Sequence, residues 1–318
     1  MDELLPYGFH RGGIVASDSI FLHTDTEGFK FGNVVTDRVI ACVDDPTGRL
    51  YAFRLADYCR RFLNSMRITG LPVEFDAGIP AKAALDVLSA NWGGEYRGDV
   101  AVRFIAYRGT PKDGPYGVGL AIFALALRPF SQTSVNPPLR GLLSSWMRLP
   151  DHVMPMRGMS AAKEANARYA RQEATGRGFD EAIMLNHSGK IADFTGASAF
   201  FASQGTVITP SMTSDIPVGI TRDTCIQLLK KAHSIEVEVR EVDSSELFVF
   251  DEAWRADSAE GLSPVVEFDG VTVGNGVPGP IFKILKRSFI KCHYPSSTIQ
   301  GWTQPEGWHT PVPSGSGA

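Results

Sequence analysis

The chain has 318 residues, 43% hydrophobic and 21% charged, a balance that suits a soluble globular protein with room for two buried cores. A formal net charge of −4, from 31 basic and 35 acidic residues, gives no electrostatic case for nucleic acid or an anionic membrane as partner. No apolar run approaches the roughly 20 residues of a membrane helix, and the opening MDELLPYGFHRGG carries acids where a signal peptide is basic, so a cytoplasmic location is expected.

In chain order, the first clear element is VVTDRVIAC at 34–42, whose β-branched alternation predicts a strand. The turn residues DDPTG lead to a second strand, LYAF, at 50–53. LADYCRRFLNSMRITG then carries Leu55, Tyr58, Cys59, Phe62 and Met66 at helical spacing and stops at Gly70. A helix over 80–91 and strands over 99–107 and 117–126 complete an N-terminal α+β domain, residues 1–127. The Pro-, Ser- and Asn-rich stretch 128–140 breaks the periodicity and is read as an interdomain linker.

A second α+β domain is expected over 141–293. Its helix from Ser160 to Arg177 is followed by strands at 181–186, 190–194, 198–203 and 205–208. Then come a helix from Thr221 to Ala232, the SIEVEVREV strand, a short helix near 244–248, the VVEFDGVTVG hairpin and the closing helix PIFKILKRSFIKCH. The Pro-, Gly- and Ser-rich end, 294–318, reads as a flexible tail. Cys42, Cys59, Cys225 and Cys292 form no CxxC pair, and no His pairs fall at ligand spacing, so free thiols and no metal site are expected.

Three segments carry a family likeness: residues 153–185 (VMPMRGMSAAKEANARYARQEATGRGFDEAIML), 189–201 (GKIADFTGASAFF) and 208–229 (ITPSMTSDIPVGITRDTCIQLL). They resemble the branched-chain and D-amino-acid aminotransferases of fold-type IV, with PVGITRD close to that family's Leu-Pro-Gly-Ile-Thr-Arg-Asp. The resemblance implies an α+β, two-domain fold, with pyridoxal 5'-phosphate or pyridoxamine phosphate in the cleft between the domains. It also implies a homodimer and a small amino or keto acid as substrate.

Such a cofactor needs an anion cup, an acid opposite its ring nitrogen and an amine for its aldehyde. Gly219, Ile220 and Thr221 lie where a loop becomes a helix, so free N–H groups face an anion. Ser258 and Arg54 match the family's phosphate-binding positions, and Asp193 matches the acid of the ring nitrogen. Aligning the first segment without gaps puts Met159 on the family's lysine, and a thioether cannot condense with an aldehyde. Lys163, four residues on, is the candidate substitute, about 6 Å further along if the segment is helical there. Glu164 replaces a ring-lining tyrosine. The segment FGNVVTDRVIACV lacks the family's Phe-Glu-Gly-Ile-Arg, which helps form the substrate pocket. Arg103 matches a position used for a substrate carboxylate, and Trp146 a pocket aromatic. The expected activity is therefore an atypical aminotransferase, its cofactor held without the usual lysine. The alternatives are cofactor-independent chemistry in the same cleft, with Asp193 and Glu164 as the acids, and a non-catalytic relative.

Overall fold

In the computed structural model, residues 3–73, 75–94, 96–113, 117–130 and 136–314 are described. Two sheets dominate. The N-terminal sheet holds β1 (Glu3–His10), β2 (Gly13–Ala16), β3 (Val34–Asp44), β4 (Arg49–Phe53), β5 (Val100–Arg108), β6 (Val118–Ala126) and a strand from the far end of the chain, β16 (His309–Pro311). Its order is β16-β4-β3-β5-β6-β1-β2. The alternation read in β3 sorts its side chains: Val35, Val39 and Ala41 pack under α2 (Leu55–Ile68) and α3 (Gly78–Asn91), while Ile40 and Cys42 face the other way.

The C-terminal sheet contains β7 (Leu139–Leu143), β8 (Glu181–Leu185), β9 (Ile191–Phe194), β10 (Ser198–Ser203), β11 (Thr206–Pro210), β12 (Val237–Arg240), β13 (Glu252–Asp257) and β14 (Gly261–Phe268), with β15 (Val271–Thr272) paired to β14. The order β12-β11-β10-β13-β14-β7-β8-β9 mixes antiparallel hairpins with parallel crossovers at β11–β12, β14–β7 and β7–β8. The helices α4 (Glu164–Gly176), α5 (Ile220–Gln227) and α6 (Pro280–Lys291) pack on it. One apolar cluster spans both sheets, joining Ile40, Phe53 and Leu125 to Phe200, Trp254 and Leu285. Removing such area from water is worth about 25 cal/mol per Å2, so the two halves are held together by a shared core.

Three differences from the sequence expectations have physical causes. The strands β1 and β2 and the short helix α1 (Glu27–Phe31) were not readable, because Pro6 and Gly8 interrupt the alternation of β1. Gly8 is needed there, since a Cβ would lie 2.9 Å from the Ile122 carbonyl oxygen of β6. The strand β7 begins inside the stretch read as a linker; Gly141 hides it, and its missing Cβ makes room for the Phe268 ring.

The end of the chain is the third. It packs as a strap and does not hang free over the described residues. β16 pairs with β4, the Val312 N–H donates to the Leu50 carbonyl at 2.9 Å, and Trp308 is 5% exposed. Its Pro and Gly content suggested looseness, but Trp302 and Trp308, with ring centroids 5.3 Å apart, bury enough surface to hold it.

Candidate active site

The cleft between the sheets contains a cavity of about 160 Å3. The N-terminal sheet reaches it through β3: the Thr36 N–H donates to the Met159 carbonyl at 2.9 Å, and Val35 forms an isolated bridge with Ser160. The segment carrying Met159 is thus extended and tied to a strand. The helix expected from Ser160 onward follows it directly. Ser160 caps the tight turn Ala161–Lys163, and α4 begins at Glu164.

This local geometry turns Lys163 inward. The side chain is buried, 3% exposed, and its Nζ donates to the carbonyls of Gly158 (2.8 Å) and Met156 (3.3 Å) and lies 3.8 Å from Met159 Sδ. Burial pulls its pKa down to about 8, with Glu164 acting in the opposite direction. Met159, Lys163 and Glu164 all line the cavity, and Lys163 is the single lysine among its described lining residues. Lys190 instead pairs with Asp243 at 2.6 Å on the surface.

Opposite the amine lies Asp193, at 2% exposure on β9. Burial raises its pKa, against the pull of the Arg148 guanidinium, whose Nε donates to Asp193 Oδ1 at 2.6 Å. Arg148 also donates to the Phe194 carbonyl at 2.9 Å, so this pair is fixed in place. Arg148 had no signal in the sequence, because its partner is 45 residues away.

The third wall is the N-terminus of α5. Gly219 precedes the helix and no side chain caps it, so the first-turn N–H groups of Ile220 and Thr221 open toward the cavity. At Gly219 a Cβ would lie 3.0 Å from Arg222 Cβ and 3.1 Å from Ser198 Oγ, so a side chain there would press on both neighbours. Thr221, Ser198 and Ser258 bring hydroxyls to the same space, and Thr221 also bonds the buried Tyr58 hydroxyl. An uncapped helix start, a glycine cradle and three hydroxyls make a fitting cup for a phosphate-sized anion.

Arg54 and Arg61 divide the roles otherwise than the sequence suggested. Arg54 lies outside the described lining. It donates to Asp57 (2.6 Å), Asp223 (2.7 Å) and Thr224 (2.9 Å) and sits 4.8 Å from the Trp308 ring, bracing α5 from behind. Arg61 lines the cavity, held by Asp37 through bonds of 2.5 and 2.9 Å and donating to the Val218 carbonyl at 2.9 Å. The one sequence cue to Arg61 was its place one turn from the inward-facing Tyr58, with which its guanidinium stacks at 4.9 Å. Trp146 is 44% exposed and stacks on Tyr169 with centroids 4.9 Å apart, away from the lining. Arg103 projects from β5 directly across from Arg38 of β3 and is likewise outside this cavity's described lining.

Among the described residues no cluster of His, Cys, Asp or Glu could hold a metal ion, and no helix is long and apolar enough to cross a membrane.

Known proteins resemble the chain over most of its length. Residues 47–268 match the family model for class IV amino-transferases. The chain is 32% identical over 313 residues to a probable branched-chain-amino-acid aminotransferase of Aquifex aeolicus, covering 97% of each. It is 30% identical to the branched-chain amino acid aminotransferase of Thermobaculum terrenum solved in its pyridoxal-phosphate form, with a TM-score of 0.87 over 98% of this chain and 99% of that one. A branched-chain aminotransferase of Thermoproteus uzoniensis solved with norvaline superposes with a TM-score of 0.84 at 27% identity, over 97% of this chain and 99% of that one. The chain belongs to the class IV aminotransferase family and is built on its α+β, fold-type IV scaffold.

Proposed function

We propose that the cleft binds pyridoxal phosphate and transfers an amino group between small amino and keto acids, with Lys163 supplying the amine that the aligned Met159 lacks. The observation that carries this reading is the buried Lys163 amine sharing one cavity with Asp193 and the α5 anion cup. Pyridoxal phosphate supplies an aldehyde and an electron-withdrawing ring when bound.

The residues around it perform the rest. Gly219, Ile220, Thr221 and Ser258 would hold the phosphate with backbone N–H groups and hydroxyls, and Arg61, in the same lining, would add positive charge. Asp193, steadied by Arg148, would face the ring nitrogen and favour its protonated form. Lys163, with its pKa near 8, is neutral in about a tenth of molecules at pH 7. A neutral amine there would be able to condense with the cofactor aldehyde with loss of water and, once displaced by the substrate's own amine, to move the substrate α-proton between carbon and nitrogen. Glu164 lies beside it and tempers the loss of charge.

Reduction of the pyridoxal-phosphate-loaded protein with borohydride, followed by peptide mapping, tests the reading. A pyridoxyl label on Lys163 is expected, absent from Lys163→Met. Retention of the cofactor with no label anywhere would support binding without a covalent anchor, the arrangement implied by Met159 alone. Failure to bind the cofactor would leave cofactor-independent chemistry or a non-catalytic relative.

A homodimer belongs to the same proposal. Phe21, Phe29 and Phe31 are 76%, 64% and 73% exposed, and Gly32 next to them lies against Ala162 beside the amine, so a second copy covering these rings would also wall the cleft. Sedimentation analysis should give twice the chain mass. The buried, free thiols of Cys42, Cys59, Cys225 and Cys292 suit a reducing cytoplasm.

A further inference from the structure

The strap at the end of the chain reaches the cofactor cleft from behind, at Arg54. Arg54 joins β4 to α2 with its backbone at φ 53°, a left-handed conformation that a residue with a side chain keeps only where its surroundings fix it. The strap fixes it twice. The Arg54 N–H donates to the Trp308 carbonyl at 2.6 Å, and the guanidinium carbon lies over the Trp308 ring at 4.8 Å.

From there the guanidinium reaches α5. It donates to Asp223 Oδ2 at 2.7 Å, to Thr224 Oγ1 at 2.9 Å and to the Ile220 carbonyl at 3.5 Å, while Asp57 of α2 takes its Nε–H at 2.6 Å. Ile220 opens α5 and Asp223 lies in its first turn, the turn whose N–H groups form the anion cup. Hydrogen bonds of this kind lie in the guanidinium plane and hold it at its edges. The Trp308 ring lies against its face and resists tilting out of that plane.

Trp308 is itself anchored. Its ring meets Phe53 edge-on at 5.4 Å and Trp302 at 5.3 Å, and its neighbour His309 donates from Nε2 to the Cys292 carbonyl at the end of α6, at 2.9 Å. Arg54 is 7% exposed and Trp308 5%, so little water is at hand to replace their contact if either one moves.

We infer that Trp308 is a positioning residue for the anion cup: through Arg54 the strap holds the first turn of α5 in the geometry that receives a phosphate, and so sets how tightly the cleft keeps a phosphate-bearing cofactor. The inference rests on the cofactor reading above. Loosening the strap should weaken binding at the phosphate end and leave the ring end, at Asp193 on β9, as it is.

Pyridoxamine phosphate and pyridoxamine differ only by the phosphate, and neither carries an aldehyde to react with a lysine. Calorimetric titration of the full chain, freed of cofactor, with each compound gives an affinity ratio that reads the cup alone. Trp308→Leu keeps apolar volume but no ring face, and should lower that ratio about tenfold by weakening pyridoxamine phosphate. Trp308→Tyr returns a ring to the guanidinium and should restore most of it. Val312→Ala, at the Leu50 end of the strap, should lower the melting temperature without moving the ratio. Where Trp308→Leu does not fold, Trp302→Leu removes only the ring that supports Trp308, with a fall of about threefold expected. An unchanged ratio in the folded variant, or an equal fall in Val312→Ala, overturns the inference and leaves the cofactor reading standing, because the wild type still prefers pyridoxamine phosphate. A wild-type protein that binds neither compound, or both alike, overturns the cofactor reading and the inference with it.

Discussion

The two ends of the cofactor cavity are built differently. The anion end is backbone: the first N–H groups of α5, a glycine and a brace from Arg54 behind them. The amine end is one side chain, Lys163, held by two carbonyls and a thioether at the close of an irregular loop. A backbone site survives most substitutions, because any residue but proline supplies its N–H. A side-chain site can be lost by a single exchange, or restored from a neighbouring position with a long enough stem. The two ends therefore differ in how easily substitution removes them.

The largest expected effect lies at the amine end. Lys163→Met should lower single-turnover amino transfer by about 10^3-fold, within the range for removing a positioned acid–base group, while pyridoxal phosphate is still bound by the cup. An unaffected rate would move the chemistry away from Lys163 and dissolve the contrast.

Next is the buried ion pair between the two ends. Asp193→Ala leaves the Arg148 guanidinium, 5% exposed, without its carboxylate. Stripping one partner from such a pair costs about 3 to 5 kcal/mol, which urea unfolding should register. A loss well under 1 kcal/mol would mean that water reaches the pair.

Lys163 should also leave a signature in stability against pH. Its folded pKa of about 8 lies below the ordinary 10.5. Below pH 8 both folded and unfolded chains hold the proton, and the folded one bears the full cost of a buried ammonium. Between 8 and 10.5 only the unfolded chain holds it, so stability relative to Lys163→Met rises with pH and then levels off. The rise should be on the order of 3 kcal/mol. A flat difference across that window would place the amine in water.

The smallest effect is expected at the anion end. Thr221→Val removes one hydroxyl from a cup made mostly of N–H groups, and should weaken inorganic phosphate or pyridoxal phosphate by about 1 kcal/mol. A hundredfold loss would show that the side chain, and not the backbone, makes this end.

The turn into α5 was legible in the sequence because Gly219, Ile220 and Thr221 are contiguous and their conformation is local. Asp193 was legible through its neighbours in the hairpin, as the resemblance aligned them. Arg54, at the start of α2, and Arg61, in its middle, are told apart by Asp37, 24 residues from Arg61, and by the strap at Trp308 against Arg54. The inward turn of Lys163 could not be read, since a lysine near the start of a helix is ordinarily solvated.

By itself, then, the sequence determined the strands and helices with strong periodicity, the glycine turn into α5 and the family. These depend on residues close in the chain, where spacing fixes which face a side chain takes. Only the tertiary structure decided the strap of β16 against β4, the Arg148–Asp193 pair, the burial of Lys163 and the stacking of Trp308 on Arg54. Each of these joins segments far apart in the chain or turns on burial, and burial is a property of the packed whole.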